Sequence, residues 1–374
     1  MGRDNDQETD QEPRHSVSNP KPPQEHAAPR ASWTRHRASG VAAELPSVTV
    51  IMPIRNEDQF IARSLGAVLG QDYPPDRMQV LVADGMSEDS TRAVVEELAR
   101  THPRHAVRIV DNPGRIVPTG FNAALALADG DVVVRVDGHT IIEPDYVAEC
   151  VRALERSGAD TVGGRMAAVG DGIVAQAIAL ATSSPFGVGD AQLHYGGGEK
   201  WVDTVYMGAW PRSVFDRVGP FDAELVRNQD DEFNYRLRSA GGRILLTDRI
   251  RSTYYGRSSL RTVFRQYRQY GMWKVRVLQK HPRQMSARHF VPPAFAATLL
   301  AGTVLAPGSR AARRGLLATV IAYALAAGAA SVSIAREHGW RHLPVLPAVF
   351  AALHVGWGAG FLGGLVKFRT RWTR

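Results

Sequence analysis

The sequence predicts an α/β domain built on a mostly parallel sheet, followed by C-terminal membrane helices. Three observations carry this reading. Short β-branched runs alternate with helix-patterned segments between residues 48 and 137, acidic residues stand at the ends of two of those runs, and apolar residues crowd the chain beyond residue 290.

VTVIMPI at 48 to 54 is a continuous apolar run, as expected of a strand covered on both faces, and a helical stretch follows from about Glu57 to Gly70. The alternation repeats with a strand QVLVAD at 79 to 84, a helix from Asp89 to Arg100, a strand AVRIVD at 106 to 111, a helix from Pro118 to Ala128 and a strand DVVVRVD at 131 to 137. Such alternation implies right-handed crossovers and a ligand crevice at the carboxyl ends of the strands, where Asp84 and Asp137 fall. A helix near Pro144 to Arg156 and a strand near Thr161 come next. The Gly- and aromatic-rich stretch from 182 to 211 reads as loop and short strands around a site. QDDEFNYRL at 229 to 237 begins another helix, which Gly241 and Gly242 stop.

From Leu260, apolar Val263, Phe264, Tyr267 and Tyr270 recur at helical spacing among Arg261, Arg265, Arg268 and Lys274, the pattern of an interfacial amphipathic helix or of a basic helix packed on the domain. Between Arg243 and Arg288 there are ten Arg and two Lys against one acid, Asp248. No finger, RNP or helix-turn-helix pattern accompanies this belt, so an anionic membrane surface is expected rather than nucleic acid. Apolar segments follow at about 291 to 306, 315 to 335 and 343 to 366. Only the last two reach the roughly 20 residues that cross a bilayer. With those two crossing, the arginines at 310, 313 and 314 and the C-terminus lie on the side of the α/β domain, and only the loop with Arg336 and Arg341 lies opposite, as the positive-inside rule prefers.

The expected organisation is therefore a disordered tail over 1–45, an α/β domain over 46–257, a basic amphipathic segment over 258–288 and a membrane region over 289–374. The tail contains no apolar stretch long enough for a signal peptide. Cys150 is the only cysteine, which excludes an intrachain disulfide.

Three acidic loci point to chemistry. A carboxylate at Asp84 can accept from a base imide or a ribose hydroxyl, or merely close a strand-end turn. Asp137 and His139, separated by one glycine, can face one side of an extended segment and hold Mg²⁺ or Mn²⁺ against a diphosphate. Among Asp230, Asp231 and Glu232, at the start of a helix, one can act as general base on a hydroxyl. GGGEK at 196 to 200 lacks the spacing of a P-loop.

The set TVIMPIRNE, VADGMSEDST, RVDGH, GPFDAEL and QDDEFNYRL resembles the family-two glycosyltransferases of the GT-A fold, especially bacterial succinoglycan-type exopolysaccharide transferases, over roughly residues 46 to 280. The resemblance implies that the segment with Pro53, Arg55 and Glu57 surrounds the nucleoside together with Asp84. It places Asp137 and His139 where the family's metal-binding D-x-D falls, and Asp230 at its catalytic base, with Asp231 and Glu232 beside the substrate. His139 replaces the second acid of the metal motif, and Gln229 replaces the acid before the base. QYRQY at 266 to 270 is similar to the acceptor motif of processive synthases but ends in Gln269 and Tyr270. That leaves Gln266 as an acceptor contact, with Trp273 available to stack on a sugar.

The implied activity is metal-dependent, inverting transfer from a nucleoside-diphosphate sugar to a lipid-linked or saccharide acceptor. It is expected at a bacterial-type plasma membrane, with a multi-pass chain and a cytoplasmic catalytic domain. Two rivals stay open: transfer to a polyprenyl phosphate, and a membrane-anchored protein that binds sugar nucleotides without turnover.

Overall fold

The computed structural model describes residues 44–189, 198–256 and 258–372. All but two residues of the expected N-terminal tail, and the first two glycines of GGGEK, lie outside the described residues.

The first half follows the expected alternation: β1 (Val48–Ile54), α1 (Ile61–Leu69), β2 (Met78–Asp84), α2 (Thr91–Thr101), β3 (Ala106–Asp111), α3 (Val117–Leu125) and β4 (Val132–Arg135). These strands form a parallel array in the order β3-β2-β1-β4. Every residue of β1 and β4 is buried, whereas β3 at the edge is mostly exposed or half-buried. Helix α1 starts four residues later than expected. Asn56 adopts a left-handed backbone (φ 53°), and the Glu57 carbonyl accepts from the Phe60 and Ile61 amides, which leaves the Glu57 side chain outside the helix. β4 also stops before Asp137: its ladder with β1 ends at Arg135.

The second half contains β5 (Thr140–Ile142), α4 (Tyr146–Ser157), β6 (Thr161–Val169), α5 (Gly172–Thr182), α6 (Pro185–Val188), β7 (Lys200–Val202), β8 (Ala209–Pro211), α7 (Ser213–Val218), α8 (Gln229–Ser239) and β9 (Ile244–Tyr255). The sheet continues β4-β8-β6-β9-β5, with β7 also on β9, and here only β6 and β9 pair in parallel. A register shift between Gly164 and Arg165 bends β6 against β9; a Cβ on Gly164 would lie 1.8 Å from the Ile250 carbonyl oxygen, so this crossing requires glycine. Beyond the shift, Met166, Ala168, Tyr254 and Tyr255 face a cleft.

Apolar layers cover both faces of the sheet. Ile61, Leu65 and Val95 join one face with Val147 and Val151 of α4; Phe121, Phe215, Phe233 and Leu237 join the other. Phe233 anchors α8 in an aromatic cluster, with ring centroids 4.9 Å from Phe221 and 5.4 Å from Phe215.

Four long helices complete the chain: α9 (Leu260–Lys280), α10 (Val291–Leu305), α11 (Arg310–His338) and α12 (Leu346–Lys367). Both α11 and α12 are long and apolar enough to cross a membrane, but half of the apolar window of α12 is buried within the protein, against 17% for α11. The basic helix α9 lies against α12 along a glycine seam. Cβ atoms on Gly271 and Gly360 would each lie 2.0 Å from a carbonyl oxygen of the facing helix, at Trp357 and Arg268. A Gly360→Leu change should therefore force the two helices apart and cost about 3 kcal/mol or more. Gly363→Ala, which meets nothing within 4 Å, should be close to neutral. Thermal unfolding of the two variants checks this, and equal melting temperatures would contradict the seam.

Candidate active site

A cleft of ≈ 970 Å³ opens at the carboxyl ends of the parallel strands and runs to the C-terminal helices. The loop after β1 brings Pro53, Arg55 and Glu57 to its wall, the segment after β4 brings Asp137 and His139, and the start of α8 brings Asp230 and Asp231. Gln266 and Tyr267 of α9 close it on the side of the C-terminal helices, where Gln266 Nε2 donates to the Tyr270 hydroxyl at 2.8 Å. Three non-glycine residues with positive φ line it: Asn56, Arg115 and Asn228. Such backbone is costly and clusters at functional sites. Asn228 precedes α8, and its side chain donates to the Tyr270 carbonyl, fixing the turn that aims Asp230 into the cleft.

Asp137 is held by Arg135 and Tyr206, neither of which had an expected role. Arg135 Nε and Nη2 donate to its two carboxylate oxygens at 2.8 and 3.2 Å, and the Tyr206 hydroxyl donates at 3.0 Å. Burial alone would raise the Asp137 carboxyl, but Arg135, His139 and Tyr206 together hold it below its ordinary value. Arg135 is itself buried, and its Nη1 has no hydrogen-bond partner among the described residues. Its place two residues before the acid was visible in RVDGH; nothing in the sequence marked Tyr206.

His139 Nδ1 bonds to Glu57 Oε1 at 2.9 Å, which leaves Nε2 without a hydrogen bond among the described residues. No group of three metal-ligating side chains occurs among the described residues. The donor set nevertheless suits a cation whose shell is completed by phosphate: Asp137 retains unused lone pairs, His139 offers Nε2, and Mg²⁺-type sites often have only one or two protein ligands.

The three acids at the start of α8 separate cleanly. Asp231 is tied to Lys274 and to Gln284 Nε2, and Glu232 is buried between Arg236 and His281. Asp230 has no side-chain partner among the described residues and accepts only the Asp231 amide, at 2.9 Å. Burial raises its carboxyl above the ordinary value, Arg135 opposes the rise, and Asp231 and Asp137 add to it.

Three expected contacts are corrected. Asp84 is fully buried and absent from the cleft wall; it accepts from the Ser87 hydroxyl at 2.5 Å and from Arg92 Nη1 at 2.9 Å, so it closes the β2–α2 turn. Glu232 faces Arg236 and His281 rather than the cleft. Trp273 packs 5.3 Å from the Phe368 ring, against the segment just past α12, and is not among the residues that line the cleft.

A family model described as glycosyl transferase family 2 matches residues 49–219. The succinoglycan biosynthesis protein ExoA of Rhizobium meliloti (strain 1021) is 31% identical over 329 residues, covering 87% of this chain and 97% of that protein. A Methanococcus voltae transferase named for a dolichyl-phosphate-linked N-acetylglucosamine acceptor and a diacetamido-glucuronosyl group is 27% identical over 239 residues, covering 62% of this chain and 74% of that one. Among solved structures, the mannosyltransferase PcManGT from Pyrobaculum calidifontis, in complex with GDP-Man and Mn²⁺, superposes with a TM-score of 0.54 at 22% identity, over 84% of this chain and 87% of that one, a likeness of fold. The end-to-end match to ExoA, on a Rossmann-like sheet with its acids gathered at the strand ends, places this chain in glycosyl transferase family 2.

Proposed function

We propose that this protein moves a sugar, with inversion, from a nucleoside-diphosphate sugar to a hydroxyl of a lipid-linked saccharide at a membrane surface. The observation that carries the reading is Asp230: it is the one acid of the α8 cluster whose carboxylate stays unpaired among the described residues, and it faces the cleft. Asp230 takes the acceptor proton as the acceptor oxygen forms its bond to the anomeric carbon. The bond from that carbon to the diphosphate breaks, and the nucleoside diphosphate leaves with the electron pair. Asp137 and His139 would hold a divalent cation, Mn²⁺ or Mg²⁺, which supplies positive charge to the departing diphosphate. Arg135 orients Asp137, and Gln266 and Tyr267 border the acceptor end of the cleft.

A polyprenyl-phosphate acceptor is already ionised and needs no base, so an unpaired, cleft-facing Asp230 favours the hydroxyl. Release of nucleoside diphosphate from a panel of sugar nucleotides, with membrane extract as acceptor source, tests the reading. No release with any donor would sink it.

The raised Asp230 carboxyl has a consequence for pH. A base works only when ionised, so activity should fall as pH drops through a value above the ordinary aspartate 3.8. The acid limb of kcat/KM should therefore lie above that value in the pH–rate profile. A limb at or below it would contradict the buried environment assigned to Asp230.

A further inference from the structure

Both ends of α12 are fixed to the catalytic domain. Just before its start, Arg341 Nη2 donates to Gln176 Oε1 of α5 at 3.1 Å, and Leu346, Val349 and Phe350 share a buried cluster with Ala177 and Ile178. Just after its end, Arg371 pairs with Glu224, and Gln279 Nε2 donates to the Phe368 carbonyl at 2.8 Å. Between these points the glycine seam binds α12 to α9, whose Lys274 and Arg276 are themselves paired with Asp231 and Glu224 of the catalytic domain. A helix held at its start to α5, along its length to the basic helix α9 and just past its end to Glu224 cannot also traverse roughly 30 Å of hydrocarbon.

The consequence falls on α10 and α11. If α12 stays on the catalytic side, the segment before it must leave that side and return to it. The two helices form an antiparallel hairpin: Phe295 stacks on Tyr323 at 4.5 Å, and Gly302 lies against Leu316. Neither residues 291–309 nor residues 315–335 contain a charged side chain. Leu300, Val304 and Leu305 of α10 and Leu317, Val320, Ile321 and Leu325 of α11 are each 46–70% exposed. A protein partner would cover one face of such a hairpin; lipid covers all of them. The arginines at 310, 313 and 314 at the tip belong at a headgroup layer rather than at the bilayer midplane.

Building on the membrane association proposed above, we infer that the α10–α11 hairpin is the element that enters the bilayer, that it enters and leaves from the catalytic-domain side, and that α12 does not cross. This replaces the expected pair of crossings by the second and third apolar segments, which put Arg336 and Arg341 on the opposite side. Length and composition allow those crossings; the contact of Arg341 with α5 does not.

The full-length chain allows a direct test, because its one native thiol, Cys150, is buried. Single cysteines at Glu97, on the catalytic domain, and at Glu337, at the end of α11, are treated with a membrane-impermeant maleimide in sealed vesicles of known orientation. Both sites should react from the same side; reaction of Glu337→Cys from the side opposite Glu97→Cys would overturn the inference. In a second arm, a fluorophore on Ile321→Cys should be quenched several-fold more by nitroxide-labelled lipid than one on Glu97→Cys, and equal quenching would overturn it too. Neither readout needs turnover. A chain with this topology but no nucleoside diphosphate release would refute the functional reading and leave this one standing.

Discussion

Asp230→Asn should lower kcat for transfer to a hydroxyl by on the order of 10²-fold or more, with donor affinity close to wild type. The change preserves shape and keeps an oxygen that can accept the Asp231 amide, so the turn into α8 survives. What it removes is the proton acceptor. Asp231→Asn should be milder in chemistry, because that carboxylate is already committed to Lys274 and Gln284, and its loss should appear as reduced stability around a buried lysine. Single-turnover rates and nucleoside diphosphate affinity for both variants separate the cases. Equal losses in kcat, or a larger loss at Asp231, would mean that the base is misassigned.

Asp137→Ala should abolish cation-dependent donor binding and also destabilise the fold by about 3–5 kcal/mol. The second effect follows from the structure: Arg135 is buried, and removing the carboxylate takes away the one acid its guanidinium hydrogen-bonds among the described residues, leaving only the more distant charge of Asp230. Asp137→Asn keeps the volume and one oxygen for Arg135 but also removes the charge, so it should destabilise the fold less than Asp137→Ala while still losing the cation. The pair therefore separates the two roles. Calorimetric titration with Mn²⁺ and nucleoside diphosphate, alongside thermal unfolding, reads both. Unchanged Mn²⁺-dependent binding in Asp137→Asn, or full turnover of the wild type in EDTA, would remove Asp137 and His139 from the cation site.

Much of the catalytic half was legible in the sequence because its elements are long and periodic. The strands around Val50, Leu81 and Val133 are buried on both faces and read as unbroken apolar runs, and the acids at 137 and 230 followed from motif order. The short strands at 140–142, 200–202 and 209–211 carried no such signal, since three residues cannot establish a period. Asp84 was misplaced because a strand-end acid in a turn looks the same whether it meets a ligand or, as here, Ser87 and Arg92. Trp273 was misplaced because its partner, Phe368, lies far along the chain, just past the end of α12.

The sequence by itself determined the family, the parallel half of the sheet, the order of the acidic loci and the apolar character of the C-terminal segments, since each is written in local pattern and spacing. Tertiary structure alone decided which acid of the α8 cluster stays unpaired among the described residues, which guanidinium and hydroxyl hold Asp137, and which apolar helix is left largely uncovered. Those outcomes depend on partners distant in the chain: Lys274 for Asp231, His281 for Glu232, Tyr206 for Asp137 and α5 for the loop at Arg341. Hydropathy measures how apolar a helix is and cannot register what already covers it, and so α11 and α12 read alike in sequence while only α11 is left largely uncovered in the fold.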